Sequence, residues 1–167
     1  METIVMDRFT CSGHDFVVGR IKAGVCYIGT TAVAKKELTK FFKGWPITED
    51  IGSSQDVKEQ LTAYFNGQLE EFNFPLAFVG TDFQKQVWQK LVTVPYGKTI
   101  AYSELARQVG NEKGVRAVAN AVGRNPIMIV VPCHRIIGKN GRLTGYRGGI
   151  EMKVALLRQE GISEFAY

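Results

Sequence analysis

Pro132-Cys133-His134-Arg135 lies between an apolar run, Ile127-Met128-Ile129-Val130-Val131, and an apolar pair, Ile136-Ile137. Packing on both sides would hold the cysteine, the proline removes a backbone donor, and the histidine supplies a titratable neighbour. Such a setting suits a reactive thiol. A thiol of ordinary pKa is mostly protonated at neutral pH, so a nucleophilic Cys133 needs a base, a cation or a helix N-terminus beside it. His134 is the adjacent candidate, one of 2 histidines in the chain, the other being His14. Consecutive side chains of an extended segment point to opposite sides, so the two meet only through a turn or a bridging water. Glu160 is an available carboxylate to orient the imidazole.

The charge distribution points to the partner. Of the net +5, residues 1–94 hold ten Lys/Arg against eleven Asp/Glu, residues 95–160 hold eleven against four, and the last seven residues add one acid. The basic excess therefore shares a segment with the Cys-His pair, which fits a polyanion, although a solvated basic face has the same signature. With 167 residues, 45% hydrophobic and 22% charged, the chain has the composition of a soluble globular protein of one domain or two small ones. No apolar run approaches the roughly 18 residues needed to span a bilayer, and METIVMDRFT has no signal pattern, so an intracellular protein without a membrane partner is expected.

The elements that must position the chemistry follow from periodicity. Phe16-Val17-Val18 and Val25-Cys26-Tyr27-Ile28, punctuated by Gly19 and Gly24, predict short antiparallel strands. Residues 53–65 repeat apolar side chains at helical spacing (Val57, Leu61, Tyr64, Phe65) before Gly67, and residues 69–78 read as a connector. Thr81 and Gln84 form a capping-box pattern for a helix lined by Phe83, Val87, Trp88 and Leu91, ending before Pro95. Two short helices follow. The first turns Leu105, Ala106 and Val109 inward, the second Val115, Val118, Ala119 and Val122, and 110–114 joins them as in a helix-turn-helix. The second presents Arg116 and Asn120 outward among the small residues Ala117, Ala121 and Gly123, which suits close approach to DNA. Lys139-Asn140-Gly141-Arg142 predicts an Asn-Gly turn. Gly145-Tyr146-Arg147-Gly148-Gly149 is a glycine-rich loop, and a closing helix turns Met152, Ala155, Leu156 and Gln159 to one side.

Cys11, His14 and Cys26, with Asp15, are conceivable zinc ligands whose spacing matches no standard finger. A Cys11–Cys26 disulfide and ordinary thiols are the alternatives. The glycine-rich loops lack the phosphate-loop and dinucleotide orders, so no cofactor is indicated.

Pro-Cys-His-Arg, the preceding Arg124-Asn125-Pro126, the Gly145-Tyr146-Arg147 loop and the basic helix pair together resemble the O6-alkylguanine-DNA alkyltransferases, over about residues 81–161. The resemblance implies an α+β fold: a small N-terminal antiparallel sheet with a helix (1–78, structural in role), then a mostly helical DNA-binding and active-site domain with a winged helix-turn-helix-like unit (79–167). It implies a monomer that acts on duplex DNA containing O6-alkylguanine, in the cytoplasm or, in a eukaryote, the nucleus. The alkyl group would pass irreversibly to Cys133, with His134 drawing off its proton through a water and Glu160 orienting the histidine. Asn125 would tie the cysteine turn to the helix pair, Tyr102 would crowd the phosphate and help rotate the nucleotide, and Arg116 would fill the space the base vacates. Ala117, Asn120 and Arg124 would complete the DNA face. Val122, Leu143, Tyr146, Arg147 and Gly148 would line the base pocket. Arg147 follows the microbial pattern, where mammalian members have serine. No metal set is implied. A sensor of alkylated bases and a Cys-His hydrolase are the competing readings. The presence of Cys133 opposes the first, and the second leaves the local charge and Arg116 without a role.

Overall fold

A computed structural model describes residues 1–166. It divides into two compact units, one of residues Met1–Val79 with Pro126–Met128, the other of Gly80–Asn125 with Ile129–Tyr167.

In the first unit, β1 (Ile4–Cys11), β2 (His14–Ile21) and β3 (Gly24–Thr30) form an antiparallel meander. The turn between β1 and β2 uses Ser12 and Gly13, both at positive φ. Helix α1 (Thr31–Phe41) then carries the chain to β4 (Ile47–Glu49), and α2 (Gln55–Phe65) follows. The order is β3-β2-β1-β4, with β4 parallel to β1. The sheet is therefore mixed rather than purely antiparallel, because an intervening helix returns the chain to enter β4 in the direction of β1. Alternation along β2 serves the two faces: Val17 packs with Ala34 and Leu38 of α1, while Phe16 stacks on Phe65 of α2 at 6.2 Å. Helix α1 was not anticipated. Its inward stripe, Ala34, Leu38 and Phe41, is short and holds one small alanine, and Thr30 makes no side-chain cap bond.

Asp7, 2% exposed, holds the approach to α2. Its Oδ1 accepts the Arg8 and Gly52 amides at 2.8 and 2.9 Å, and its Oδ2 accepts the Ser54 amide at 2.9 Å. Pro126–Met128 joins this unit as a strap beside β3: the Ile28 amide donates to the Pro126 carbonyl at 2.9 Å, and the Met128 amide to the Ile28 carbonyl at 3.1 Å. The next residue, Ile129, is buried with φ 70. For a β-branched residue that conformation costs about 1–3 kcal/mol, and it redirects the chain from the strap toward Cys133.

Of the alternatives for Cys11 and Cys26, the disulfide does not form, and all three cysteines are free. Register explains this. Cys11 faces His14 at the β1–β2 turn, whereas Cys26 precedes Tyr27, the partner of Gly19, near the other end of β2. A bridge needs Cα atoms within about 7 Å.

The second unit begins with α3 (Asp82–Leu91), started by the complete Thr81–Gln84 capping box. Then come β5 (Ile100–Ala101), α4 (Tyr102–Gln108) and α5 (Val115–Gly123). A 3-10 turn, Cys133–Arg135, leads into β6 (Ile136–Ile137), parallel to β5, and α6 (Ile150–Gln159) closes the unit. Ala121, expected outward, is buried, and its carbonyl takes the Trp88 indole N–H at 2.9 Å, fixing α5 to α3. Ala155, expected inward, is exposed, and Lys153 lies buried on the inner side of α6. Asn140 and Gly141 adopt the positive φ values of the predicted turn (59 and 75). Beyond it Arg142 makes an isolated bridge to Ala166, and no second strand among the described residues completes a hairpin. Among the described residues, no helix is long and apolar enough to cross a membrane.

Asp7→Ala should orphan three amides in or near the core and lower unfolding stability by about 2–4 kcal/mol. Urea denaturation checks this, and a loss under about 1 kcal/mol would mean that water replaces the carboxylate.

Candidate active site

The 3-10 turn resolves the geometric problem of adjacent cysteine and histidine. Its tight rotation sends neighbouring side chains in different directions while keeping both close to the turn axis. The Cys133 amide donates to the Val131 carbonyl at 2.8 Å and the Arg135 amide to the Pro132 carbonyl at 3.0 Å. Asn125, fully buried just beyond α5, braces the turn by donating Nδ2–H to the Val131 carbonyl at 2.9 Å. It also hydrogen-bonds the Cys133 side chain.

Behind the turn, His134, Arg135 and Glu160 are all buried. Glu160 caps the C-terminus of α6. Its Oε2 lies 2.7 Å from His134 Nε2, and the Arg135 guanidinium donates to both carboxylate oxygens at 2.8 and 3.0 Å. The Gly97 amide adds a fourth donor at 3.1 Å. Arg135 also donates to the Val94 carbonyl at 2.6 Å. Burial, only partly offset by Glu160, holds the His134 pKa below its ordinary 6.5, so the ring is neutral at neutral pH. A neutral ring facing a carboxylate through Nε2 carries its proton there. Nδ1, which makes no hydrogen bond with a described residue, is then the basic atom.

Burial likewise pushes the Cys133 thiol above its ordinary 9.0, against the pull of Arg147, the Asn125 hydrogen bond and Lys153. The resting sulfur is thus a protonated thiol beside two cations, ready to be stabilised once its proton leaves. Lys153 is fully buried, with Nζ donating to the Ile136 carbonyl at 2.8 Å, and burial lowers its pKa.

Cys133 opens into a cavity of about 680 Å³. Among the expected residues, Tyr102, Arg116, Val122, Tyr146 and Arg147 line it with Cys133. Leu143 does not: it packs with Val154 and Leu157 in the core, so Thr144 and Gly145 take the wall in its place. Gly148 lies behind the wall, where an added Cβ would fall 2.4 Å from Met152 Sδ and 3.1 Å from the Tyr146 ring. Val115, Ala119 and Gly123 complete the α5 side. Ala117 and Asn120 are exposed on α5 outside the cavity, and Arg124 is half-buried at its end. Tyr102, the first residue of α4, shares a 2.8 Å hydrogen bond with Thr144.

Sequence reasoning missed Lys153, Arg135 and Thr144. Lys153 carried a signal, since it stands three and four residues before Leu156 and Leu157, on the face that α6 buries. Cys11, His14 and Cys26 form no cluster: Cys11 Sγ lies 3.3 Å from Thr62 Oγ1, and His14 stacks on Phe65 at 5.5 Å. Among the described residues, no group of three His, Cys, Asp or Glu could hold a metal.

Residues 82–162 match the family described as 6-O-methylguanine DNA methyltransferase, DNA binding domain, and residues 30–78 match the ribonuclease-like domain of the same methyltransferase. The inducible methylated-DNA--protein-cysteine methyltransferase of Bacillus subtilis (strain 168) is 41% identical over 150 residues, 87% of this chain and 84% of that protein. That of Mycobacterium tuberculosis (strain ATCC 25618 / H37Rv) is 53% identical over 113 residues, 68% of each. The crystal structure of Mycobacterium tuberculosis OGT in complex with DNA superposes with TM-score 0.82 at 38% identity, covering 93% of this chain and 92% of that one. The O6-methylguanine-DNA methyltransferase of Pyrococcus kodakaraensis strain KOD1 gives 0.76 at 30% identity, covering 95% and 99%.

The shifted groups set a stability window. Because His134 resists protonation only when folded, the unfolded chain binds more protons below pH 6.5, and stability should fall as pH drops from there. Because the buried thiols of Cys133 and Cys26 resist ionisation, Cys26 up to about 12, the unfolded chain loses more protons above pH 9.0, and stability should fall there too. Lys153, held below its ordinary 10.5 by burial, acts in the opposite direction over the alkaline range, so the readout is the comparison with Cys133→Ala, which should soften the alkaline fall of melting temperature. An alkaline limb unchanged in that variant would contradict the assignment.

Proposed function

The chain belongs to the 6-O-methylguanine DNA methyltransferase family, and from that premise we propose that it repairs DNA directly, moving an alkyl group from O6 of guanine in duplex DNA onto its own Cys133. One observation carries the residue assignment: a buried thiol opens into a cavity of about 680 Å³, roomy enough for a base, while a neutral histidine, locked on a carboxylate, stands behind it. Binding begins with phosphates, which the basic second half of the chain attracts. O6 of a stacked, paired guanine is out of reach, so the nucleotide turns out into the cavity between Tyr102 on α4 and Tyr146 on the glycine-rich loop. Arg116, exposed at the start of α5, enters the space left in the stack. Tyr102 crowds the phosphate, and Ala117, Asn120 and Arg124 flank the duplex.

In the transfer step the Cys133 proton passes through a bridging water to His134 Nδ1, and Glu160 stabilises the imidazolium that forms. The sulfur attacks the alkyl carbon, an S–C bond forms, and the C–O6 bond breaks with its electron pair left on guanine. Guanine takes up a proton from water and is restored, and the imidazolium returns its proton to water, so the proton lost by the thiol is balanced by the one guanine gains. Arg147 and Lys153, whose charges already act on the thiol, stabilise the thiolate during the attack. The thioether product has no proton to lose and no leaving group that water displaces, so each chain acts once. It works as a monomer wherever the chromosome is, in the cytoplasm or, in a eukaryote, the nucleus.

Incubation with duplex DNA carrying a labelled methyl on guanine O6 should place one equivalent of label on Cys133. Cys133→Ala should bind the duplex and take no label. Binding without transfer would leave a sensor, and repeated turnovers would refute the single-use mechanism. Arg116→Ala should slow transfer from duplex about tenfold or more while leaving transfer from a free alkylguanine within about twofold, since base extrusion carries a cost of a few kcal/mol that only the duplex imposes. Equal losses on both substrates would reject its role in extrusion.

A further inference from the structure

The hydrogen bond between Thr144 and Tyr102 joins two pieces of the cavity wall that are otherwise far apart in sequence. Upstream of Thr144 the chain is firmly held. The Leu143 amide donates to the Ala166 carbonyl at 2.7 Å, the Ala166 amide to the Gly141 carbonyl at 2.8 Å, and the Gly138 amide to the Arg142 carbonyl at 2.7 Å. The Leu143 side chain is locked with Val154 and Leu157, covered by Ile162 and Phe165. At the next residue, Gly145, nothing lies within 4 Å of where a Cβ would be. Thr144 therefore stands where the firmly bonded segment gives way to open space, with its side chain exposed on the cavity wall. Its β-branched side chain has a restricted χ1, which makes its hydroxyl a stiff post.

Tyr102 needs such a post. It is half-buried at the first position of α4, where Ala101 gives the helix no side-chain cap bond. Two free torsions would let its ring swing across the cavity mouth. We propose that Thr144 is a positioning residue for alkyl transfer: its hydroxyl fixes the Tyr102 phenol in the wall shared with Cys133, so that an extruded guanine meets a preset surface. This rests on the reading of the cavity as the alkylguanine pocket. Reaction rates depend steeply on such presetting, because a reacting carbon held off line from the attacking sulfur loses most of the advantage of proximity.

Thr144→Val keeps the shape and removes the hydroxyl, and Thr144→Ser keeps the hydroxyl. In single-turnover assays on an O6-methylguanine duplex, the valine variant should transfer about three- to tenfold more slowly, the effect of one lost hydrogen bond on a barrier. Its DNA affinity and melting temperature should be unchanged, and the serine variant should restore the rate to within about twofold of the original. In a Tyr102→Phe background, Thr144→Val should add no further loss, because the post has nothing left to hold. A valine variant as fast as the original, or faster, would overturn the proposal, as would an equal loss with Tyr102 already changed. Absence of any methyl on Cys133 in the unaltered protein is a different failure, one that removes the repair reading and the proposal with it.

Discussion

Everything at the reactive centre leans on the buried Glu160 carboxylate. It accepts from His134, twice from Arg135 and once from the Gly97 amide, with its side chain fully out of solvent. A carboxylate in that position has a severe desolvation cost, and only so dense a set of donors makes it tolerable. Arg135 supplies a full positive charge beside the carboxylate, so His134 is not its only partner. Burial is what chiefly holds the His134 ring neutral, and the Arg135 charge acts in the same direction against the pull of Glu160.

The same constraint fixes the backbone. Glu160 ends α6, Arg135 and His134 belong to the cysteine turn, and Gly97 precedes β5 and the Tyr102 helix, so one side chain sets three segments against each other. Asn125 fixes the turn from the other side through the Val131 carbonyl. Cys133 is thereby held on the cavity wall, next in sequence to the histidine that Glu160 fixes. Between Asn125 and Ile129 the chain belongs to the first unit, where the Pro126–Met128 strap pairs with Ile28.

Much of this was legible in the sequence because it rests on local signals. The capping box at Thr81, the Asn-Gly turn and the helical spacing of α2, α3 and α5 are short-range patterns, and each became the element it predicts. The Pro-Cys-His-Arg motif and Glu160 were legible as chemistry because few other residues could do it. What escaped were features set by long-range packing. The parallel pairing of β4 depends on where α1 returns the chain, and α1 announces itself only by the short stripe Ala34, Leu38 and Phe41, without a side-chain cap. Leu143 looked like pocket lining because it adjoins the loop, but an extended segment alternates, so the core took Leu143 and the cavity took Thr144. Ala121 looked like surface because it is small, and it is buried because a tryptophan needs its carbonyl. Lys153 was hidden by the habit of assigning lysine to solvent.

A protein that uses its thiol once faces a demand that a turnover enzyme does not. Any stray electrophile that reaches the sulfur destroys the molecule permanently, so the resting thiol must be unreactive and yet activated without delay when the substrate arrives. The structure meets both halves with the same burial. Desolvation keeps Cys133 protonated, 6% exposed and poorly nucleophilic toward solvent. When a base fills the cavity and displaces its water, the fields of Arg147 and Lys153 act through a drier medium and strengthen as the thiolate forms. Activation is then coupled to occupancy of the cavity rather than to pH.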